Sequence, residues 1–179
     1  MAWNTDGEKS FETAMHEISV LEYGNPGFVE LMYEIGNSVA VQWSDFMNWY
    51  EWKFVEKHIV DDKDPNAVYT FLSKDIDSVY KSYKALNEQK DKLLSMASKI
   101  SNDRCFKELL IGVHGNILLQ RLYLNIRGCC EDDATELANE FDTWFYEYSK
   151  IWRTYNRESE LFRLRKVFKH ITEFLRTQK

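Results

Sequence analysis

Apolar residues recur every three or four positions along most of the chain, the spacing that places side chains on one face of an α-helix. A first run lies between Ser10, a good N-cap residue, and Gly24, which suits a left-handed helix end. A second run opens at Asn25 and Pro26 and breaks at residues 36–38. The pattern predicts two helices, of which the second is buried. The apolar stripe of the first consists of Phe11, Ala14, Ile18 and Leu21.

A third and a fourth helix are predicted in the next part of the chain. Residues 44–60 have helical spacing, and the side predicted to face the core carries Phe46, Trp49, Tyr50, Phe54 and Val55. Asp64 and Pro65 form a cap followed by a proline, which predicts a long helix from there to about residue 100. Its apolar positions are Ile76, Val79, Tyr80, Tyr83, Leu86, Leu93, Leu94, Ala97 and Ile100.

The last third of the chain predicts three more helices. One starts at Asn102 or Asp103, ends at Gly128 and has the densest aliphatic content, so it is predicted to be central. The next is capped by Asp132 or Asp133, and the segment "NRESE" separates it from the final helix. Its apolar stripe runs through Leu137, Phe141, Trp144, Phe145, Tyr148, Ile151, Trp152 and Tyr155. Because the connections are short, we expect an all-α, elongated antiparallel bundle of about six or seven helices.

Composition agrees with a single helical domain over residues 1–179. Seven glycines and two prolines are too few for a sheet with many hairpins. The net charge of −6 argues against nucleic acid as a partner, and no run of about 18 apolar residues predicts a membrane span. Three cysteines without metal-ligand spacing and a start unlike a signal peptide favour a cytoplasmic location. These cysteines are Cys105, Cys129 and Cys130.

Catalytic patterns are missing from the sequence. The carboxylates fall at caps, in acidic loops and on outer helix faces, where they do not predict an acid–base pair. His16 lacks the paired motifs of a carboxylate metal site, and His114, between two glycines, is predicted to be a hydrogen-bonded core histidine. No phosphate-binding loop or activated nucleophile is visible. We therefore expect no cofactor, no metal and no catalysis in these residues.

The aromatic residues, 15% of the chain, leave two interpretations open. Trp49 and Trp144 fall on apolar stripes and are predicted to be core. Trp52 and Tyr146 lie off the stripes, and Trp43 belongs to the same aromatic cluster as Trp52. These three side chains are candidates for contacts to a carbohydrate or a partner, because sugars stack on exposed aromatic rings. The alternative is that all of the rings serve core packing.

Two segments carry a resemblance to a known family. "AWNTDG", a helix and "EYGNPGFVELMYEIGN" are similar to the place where the barrel of a retaining β-N-acetylhexosaminidase meets its helical C-terminal region. The end of the chain resembles the tail of bacterial family 20 glycoside hydrolases, in which a short motif precedes a final helix finishing in "FLR". Here that motif consists of Trp152, Asn156, Arg157, Ser159, Glu160 and Leu161.

The resemblance implies a helical accessory domain without an active site. In this family, catalysis belongs to a (β/α)₈ barrel with an Asp-Glu pair, and no Asp-Glu dipeptide occurs in this sequence. The expected partner is the barrel of the parent chain, and an apolar patch on the first two helices could also support a homodimer. Two alternatives remain open, a free-standing protein-interaction module and a carbohydrate-binding helical module.

Overall fold

Seven α-helices make up most of the computed structural model. It describes residues 10–57, 71–129, 133–156 and 158–178, without the side chains of residues 71, 159 and 160. The helices are α1 (Phe11–Tyr23), α2 (Phe28–Asn37), α3 (Trp43–Tyr50), α4 (Ile76–Met96), α5 (Asp103–Ile126), α6 (Ala134–Tyr155) and α7 (Glu158–Thr177). A π-helical turn, Glu51–Val55, follows α3. The predicted all-α class is confirmed, and no strand occurs in the described ranges.

Local capping chemistry starts α1, α5 and α6 where the sequence predicts them, whereas α2 begins later than the predicted cap at Asn25, after Gly27. The Ser10 hydroxyl accepts a hydrogen bond from the Thr13 amide, and Gly24 closes α1 at a φ of 69°. Asn102 caps α5 in the same way. For α6, the two candidate caps reduce to Asp133, whose carboxylate accepts from the backbone of the first turn.

The predicted long helix over residues 65–100 is confirmed over Ile76–Met96 but begins too early. Asp64 and Pro65 lie outside the described residues. A short 3₁₀ turn, Phe71–Ser73, comes before α4. The helix itself starts only after Asp75, whose carboxylate accepts a hydrogen bond of 2.9 Å from the Ser78 amide. Asp75 is a suitable N-cap residue in the sequence, but the apolar spacing after it and the Asp64–Pro65 signal before it favour a longer helix.

Consecutive long helices run antiparallel. On α5 and α6, Arg121 pairs with Glu140, whereas the Arg104 guanidinium, near the start of α5, stacks on Tyr155 at the end of α6. Arg176, at the end of α7, pairs in turn with Asp142, near the start of α6. In each pair, the start of one helix contacts the end of the next, as expected for antiparallel helices joined by short connections.

Helix α5 lies at the centre, as predicted. Its residue Leu118 belongs to a core cluster built mainly from α3, α6 and α7, and Ile117 belongs to a second cluster with α2 and α4. Both are 3% exposed or less. A helix that is apolar on both sides has to be covered on both sides, which makes α5 the shared wall between two cores.

Outside α1, several described residues that the pattern assigns to the core are exposed instead: Val55, Tyr80, Leu94, Ala97 and Tyr155. Two of their rings are covered by cations, Tyr80 by Lys84 and Tyr155 by Arg104. Apolar residues at the margin of a wide stripe reach beyond the area that the neighbouring helix covers. Periodicity alone does not reveal where that area ends.

The link between α2 and α3 is held by polar side chains of α4 and α5. On α4, the Ser82 hydroxyl accepts from the Ala40 amide and donates to the Ser38 carbonyl. Gln120 accepts a 3.0 Å hydrogen bond from the Val41 N–H and donates one of 3.0 Å to the Val41 carbonyl. Both residues are fully buried. The link therefore gains two backbone partners that neither a helix nor a strand provides, and it fixes the start of α3.

Among the helices of the described ranges, none is long and apolar enough to cross a membrane.

Candidate functional site

An aromatic cleft of about 410 Å³ opens between α3, α5, α6 and α7. Its walls are mostly apolar, and ring faces and edges form a large part of them. We call it the aromatic cleft. It is lined by Trp43, Met47, Gly112, Asn116, Trp144, Tyr148, Leu164 and Phe168.

Trp43 is the half-buried ring at which α3 meets the rest of the cleft. It lies parallel to Trp144, with ring centroids 5.8 Å apart and an angle of 7° between the ring planes. Its contact with Phe168 is edge-to-face at 5.5 Å. Both arrangements are the favourable ones for aromatic pairs. The hydrogen bonds between Gln120 and Val41 lie two residues before Trp43, so they also help to position the Trp43 ring.

Trp144 forms the buried wall of the cleft, and α5 holds it by two features. Its indole N–H donates a 2.8 Å hydrogen bond to the Ile111 carbonyl. One turn further on, a Cβ added to Gly115 would lie 2.5 Å from the Trp144 ring. Only glycine allows the indole to approach the α5 backbone so closely. The sequence showed Gly115 as an isolated glycine, and only the fold supplies its reason.

Gly112 is the exposed glycine of the same helix and lines the cleft. A Cβ added there would meet nothing within 4 Å. Unlike Gly115, it is not required by the packing of a neighbour. Its missing side chain leaves space at the edge of the cleft.

Two polar side chains line the cleft without a hydrogen bond to any residue that the structure describes. They are the amide of Asn116 and the hydroxyl of Tyr148. Burial raises the pKa of Tyr148, so its hydroxyl stays protonated at neutral pH and can donate a hydrogen bond. Sequence reasoning missed Asn116 and Gly112 because nothing in the apolar period distinguishes them.

The three aromatic residues predicted as contact sites are not brought together in this cleft. Trp43 lines it. Trp52 is half-buried on the π-helical turn after α3. Tyr146 is 62% exposed on α6, with the Lys150 ammonium 4.3 Å from its ring centre. The core predictions for Trp49 and Trp144 are confirmed, each being 5% exposed.

A smaller cavity beside α7 contains a hydrogen-bonded pair of titratable residues. The Tyr50 hydroxyl and His170 Nδ1 lie 2.9 Å apart, and burial raises the pKa of Tyr50. The space next to them is only about 30 Å³, enough for water but not for a substrate. The described parts of the chain also contain no group of three or more His, Cys, Asp or Glu side chains that could hold a metal ion.

A second apolar surface lies on α1 and faces away from the bundle. Phe11 is 58% exposed, Ile18 47% and Leu21 80%, and Ala14 lies between them on the same side. We call this surface, with the adjoining Tyr33 of α2, the α1 stripe; the Phe11 and Tyr33 rings meet at 5.3 Å. The sequence pattern correctly placed these residues on one side of α1, but it did not show that this side faces the solvent.

A buried polar contact helps to attach α1 to α2. The buried Ser19 hydroxyl donates to the Glu30 carboxylate at 2.9 Å and accepts from the Val29 amide at 2.8 Å. The inward side of α1 also carries Tyr23, whose ring packs on Phe28 of α2 at 4.8 Å. The inward contacts thus leave Ile18 and Leu21 on the outer side of α1.

The two helices that carry the α1 stripe are rich in acidic residues. Residues 10–37 contain five glutamates and no lysine or arginine. An exposed apolar patch with a charged rim is typical of a site where another macromolecule binds. Glu12, Glu17 and Glu22 lie on α1 itself, whereas Glu30 binds Ser19 on the inward side and Glu34 pairs with Lys92 of α4.

The comparisons with known proteins do not add to this geometry. The chain matches no family model, and no curated protein or solved structure is significantly similar to it.

Proposed function

We propose that the chain is a non-catalytic helical accessory domain of a glycoside hydrolase related to the β-N-acetylhexosaminidases, and that the α1 stripe packs against the catalytic barrel. The observation that carries this proposal is the outward direction of the stripe. The resemblance at the two ends of the chain supplies the partner, since it implies a barrel directly before α1.

The energy of such a contact is substantial. Burying apolar surface contributes about 25 cal/mol per Å² removed from water, and a large side chain such as Leu21 gains about 1.5–3 kcal/mol from full burial. At 80% exposure, Leu21 gains almost none of this within the bundle. A partner surface with apolar residues at its centre and basic residues at its rim would complement the stripe and its glutamates.

The same charges argue against a symmetric dimer through this surface. In a two-fold dimer each surface meets its own copy, so the acidic rims of both molecules would approach each other. Like charges placed opposite each other oppose association. A homodimer through the α1 stripe is therefore less favourable than binding to a partner of different charge.

A free-standing interaction module is the second candidate, because the α1 stripe fits a separate protein equally well. The coding sequence distinguishes the two. We expect it to encode, directly upstream, a barrel that carries an Asp-Glu pair. An upstream region without such a barrel would contradict the accessory-domain proposal and leave the interaction module.

The chain by itself is expected to release no nitrophenol from 4-nitrophenyl N-acetyl-β-glucosaminide, because it contains no Asp-Glu pair. The assay compares this chain with a parent enzyme that includes the barrel. Hydrolysis by the isolated chain above the buffer rate, retained through purification, would show that it is an enzyme in its own right.

Leu21→Asp is expected to weaken the α1 stripe as a binding surface without unfolding the domain. The side chain is mostly in water, so the free energy of unfolding should change by less than about 0.5 kcal/mol. Binding of the dye ANS, which reports exposed apolar surface, should fall. Against a separately produced barrel, the dissociation constant should rise about tenfold or more.

Val20→Asp is the matched control for this change. Val20 is the neighbouring residue and is 46% exposed, but it does not belong to the stripe. Val20→Asp should leave the binding of ANS and of the barrel unchanged. Equal effects of the two variants would show that the stripe is not the binding surface.

A further inference from the structure

We propose that the aromatic cleft binds a flat, uncharged ring compound that carries one or two hydrogen-bonding groups. This inference does not depend on the proposed accessory role, because it rests on the cleft between α3, α5, α6 and α7 and not on the α1 stripe.

The size and walls of the cleft suit a small molecule. Its volume of about 410 Å³ lies within the range of roughly 300–1,000 Å³ that is common for ligand sites. Trp43 and Phe168 meet edge-to-face, and Trp144 and Tyr148 lie nearly parallel at 5.2 Å. Trp144 and Phe168 are buried, so the accessible aromatic surface of the cleft belongs mainly to the half-buried rings of Trp43 and Tyr148. Such an aromatic wall is complementary to another flat ring.

The ligand should be uncharged. None of the lining residues is charged, and Met47 and Leu164 add further apolar wall. A carboxylate, phosphate or ammonium group would lose much of its hydration in the cleft without gaining an opposite charge. Charged compounds are therefore disfavoured by the chemistry of the lining.

The number of polar groups separates a ring compound from a sugar. Asn116 and Tyr148 offer an amide and a hydroxyl that have no partner among the described residues, so they can bind one or two ligand groups. A pyranose carries several hydroxyls, and each one buried without a partner weakens binding. The lining thus favours an aromatic compound such as a naphthol over a carbohydrate at Trp43.

Gly112 supplies the space for such a ligand and also the means to close it. Its exposed position and the empty space around an added Cβ mean that a larger side chain can be placed there without displacing the core. Gly112→Leu should occupy the edge of the cleft while α5 stays intact. Gly36, in α2, also has nothing within 4 Å of an added Cβ and is remote from the cleft lining, so Gly36→Leu is the matched control.

The test is a calorimetric titration with 2-naphthol. The expected dissociation constant is on the order of 0.1 mM, a value typical of a small ligand with good efficiency per atom. Gly112→Leu should weaken binding by about tenfold or more, whereas Gly36→Leu should leave it unchanged. Asn116→Leu, which keeps Gly112, should weaken binding about fivefold through the lost hydrogen bond. Circular dichroism checks that each variant is folded.

A second measurement localises the ligand. In a ¹H–¹⁵N spectrum, 2-naphthol should shift the indole N–H signals of Trp43 and Trp144 but not that of Trp52. The proposal is overturned if 2-naphthol gives no heat at millimolar concentration, or if Gly112→Leu binds it as well as the unmodified chain. It is also overturned if N-acetylglucosamine binds more tightly and shifts the same two indole signals.

Discussion

Replacement of Gln120 by leucine is expected to lower the free energy of unfolding by about 3 kcal/mol, one of the two largest effects that the structure predicts. Gln120 provides both an acceptor and a donor for the backbone of Val41, and both residues are fully buried. Leucine provides neither. Each buried polar group left without a partner costs about 1–3 kcal/mol, which the added apolar volume of leucine offsets only in part.

Gln89→Leu is the matched control for this prediction. Gln89 is also buried, but its amide donates only to the Ser38 hydroxyl, and its side-chain oxygen has no partner among the described residues. Leucine there removes an unsatisfied oxygen together with one hydrogen bond, so the expected change is within about 1 kcal/mol. Urea denaturation measures both variants. Equal losses for the two would contradict the role assigned to the Gln120–Val41 link.

The loss at Gln120 should also affect the aromatic cleft. Val41 lies two residues before Trp43, the first residue of α3. Without Gln120 the link keeps its contacts to α4 only at Ser38 and Ala40, so the start of α3 is held less firmly. In the folded fraction of Gln120→Leu, the near-UV circular dichroism of the tryptophans should decrease. Gln89→Leu should keep this signal, because Gln89 contacts the link at Ser38, five residues before Trp43, and not at Val41.

Gly115→Ala is expected to destabilise the protein by about 2 kcal/mol, although alanine is the better helix former. Exchanging glycine for alanine inside a helix normally gains about 1 kcal/mol. Here the new methyl group would lie 2.5 Å from the Trp144 ring, so the indole has to move. Overpacking of this kind costs about 1–3 kcal/mol, and displacement also weakens the hydrogen bond to Ile111.

The matched change three residues earlier should have the opposite sign. Gly112→Ala adds a methyl group to open space in the same helix, so the stability should rise by about 0.5–1 kcal/mol. Thermal unfolding compares the two variants directly. If Gly115→Ala were as stable as Gly112→Ala, the close approach of Trp144 to α5 would not exist in solution.

The positions of most helices could be predicted from the sequence because the signals that set them are local. A cap such as Ser10 or Asn102 bonds to an amide three residues further on, and an apolar period appears within two or three turns. Helix α5 could be recognised as central because it is rich in aliphatic residues along its whole length. The prediction failed at the start of α4. The apolar spacing and the Asp64–Pro65 signal indicated an earlier start, whereas the helix is capped by Asp75.

The candidate site could be predicted only in part. Of the three aromatic residues predicted as contact sites, only Trp43 lines the aromatic cleft, and its contact with a ligand stays a prediction. Asn116, Gly112 and Tyr148 come from α5 and α6, more than sixty residues away in the chain. No local signal connects them with Trp43. Their grouping depends on how four helices are packed, which is a long-range property.

The sequence by itself determined that the chain is all-α, where α1, α5 and α6 begin and that α5 is central. These properties depend on composition, capping and periodicity, which act over a few residues. Only the tertiary structure decided which way each apolar stripe faces. The stripe of α1 has the same spacing as a core stripe, but α1 contacts α2 through Ser19 and Tyr23, which leaves Ile18 and Leu21 on the outside. A helical period states that a helix has an apolar side. Whether that side is buried depends on neighbours that are distant in sequence.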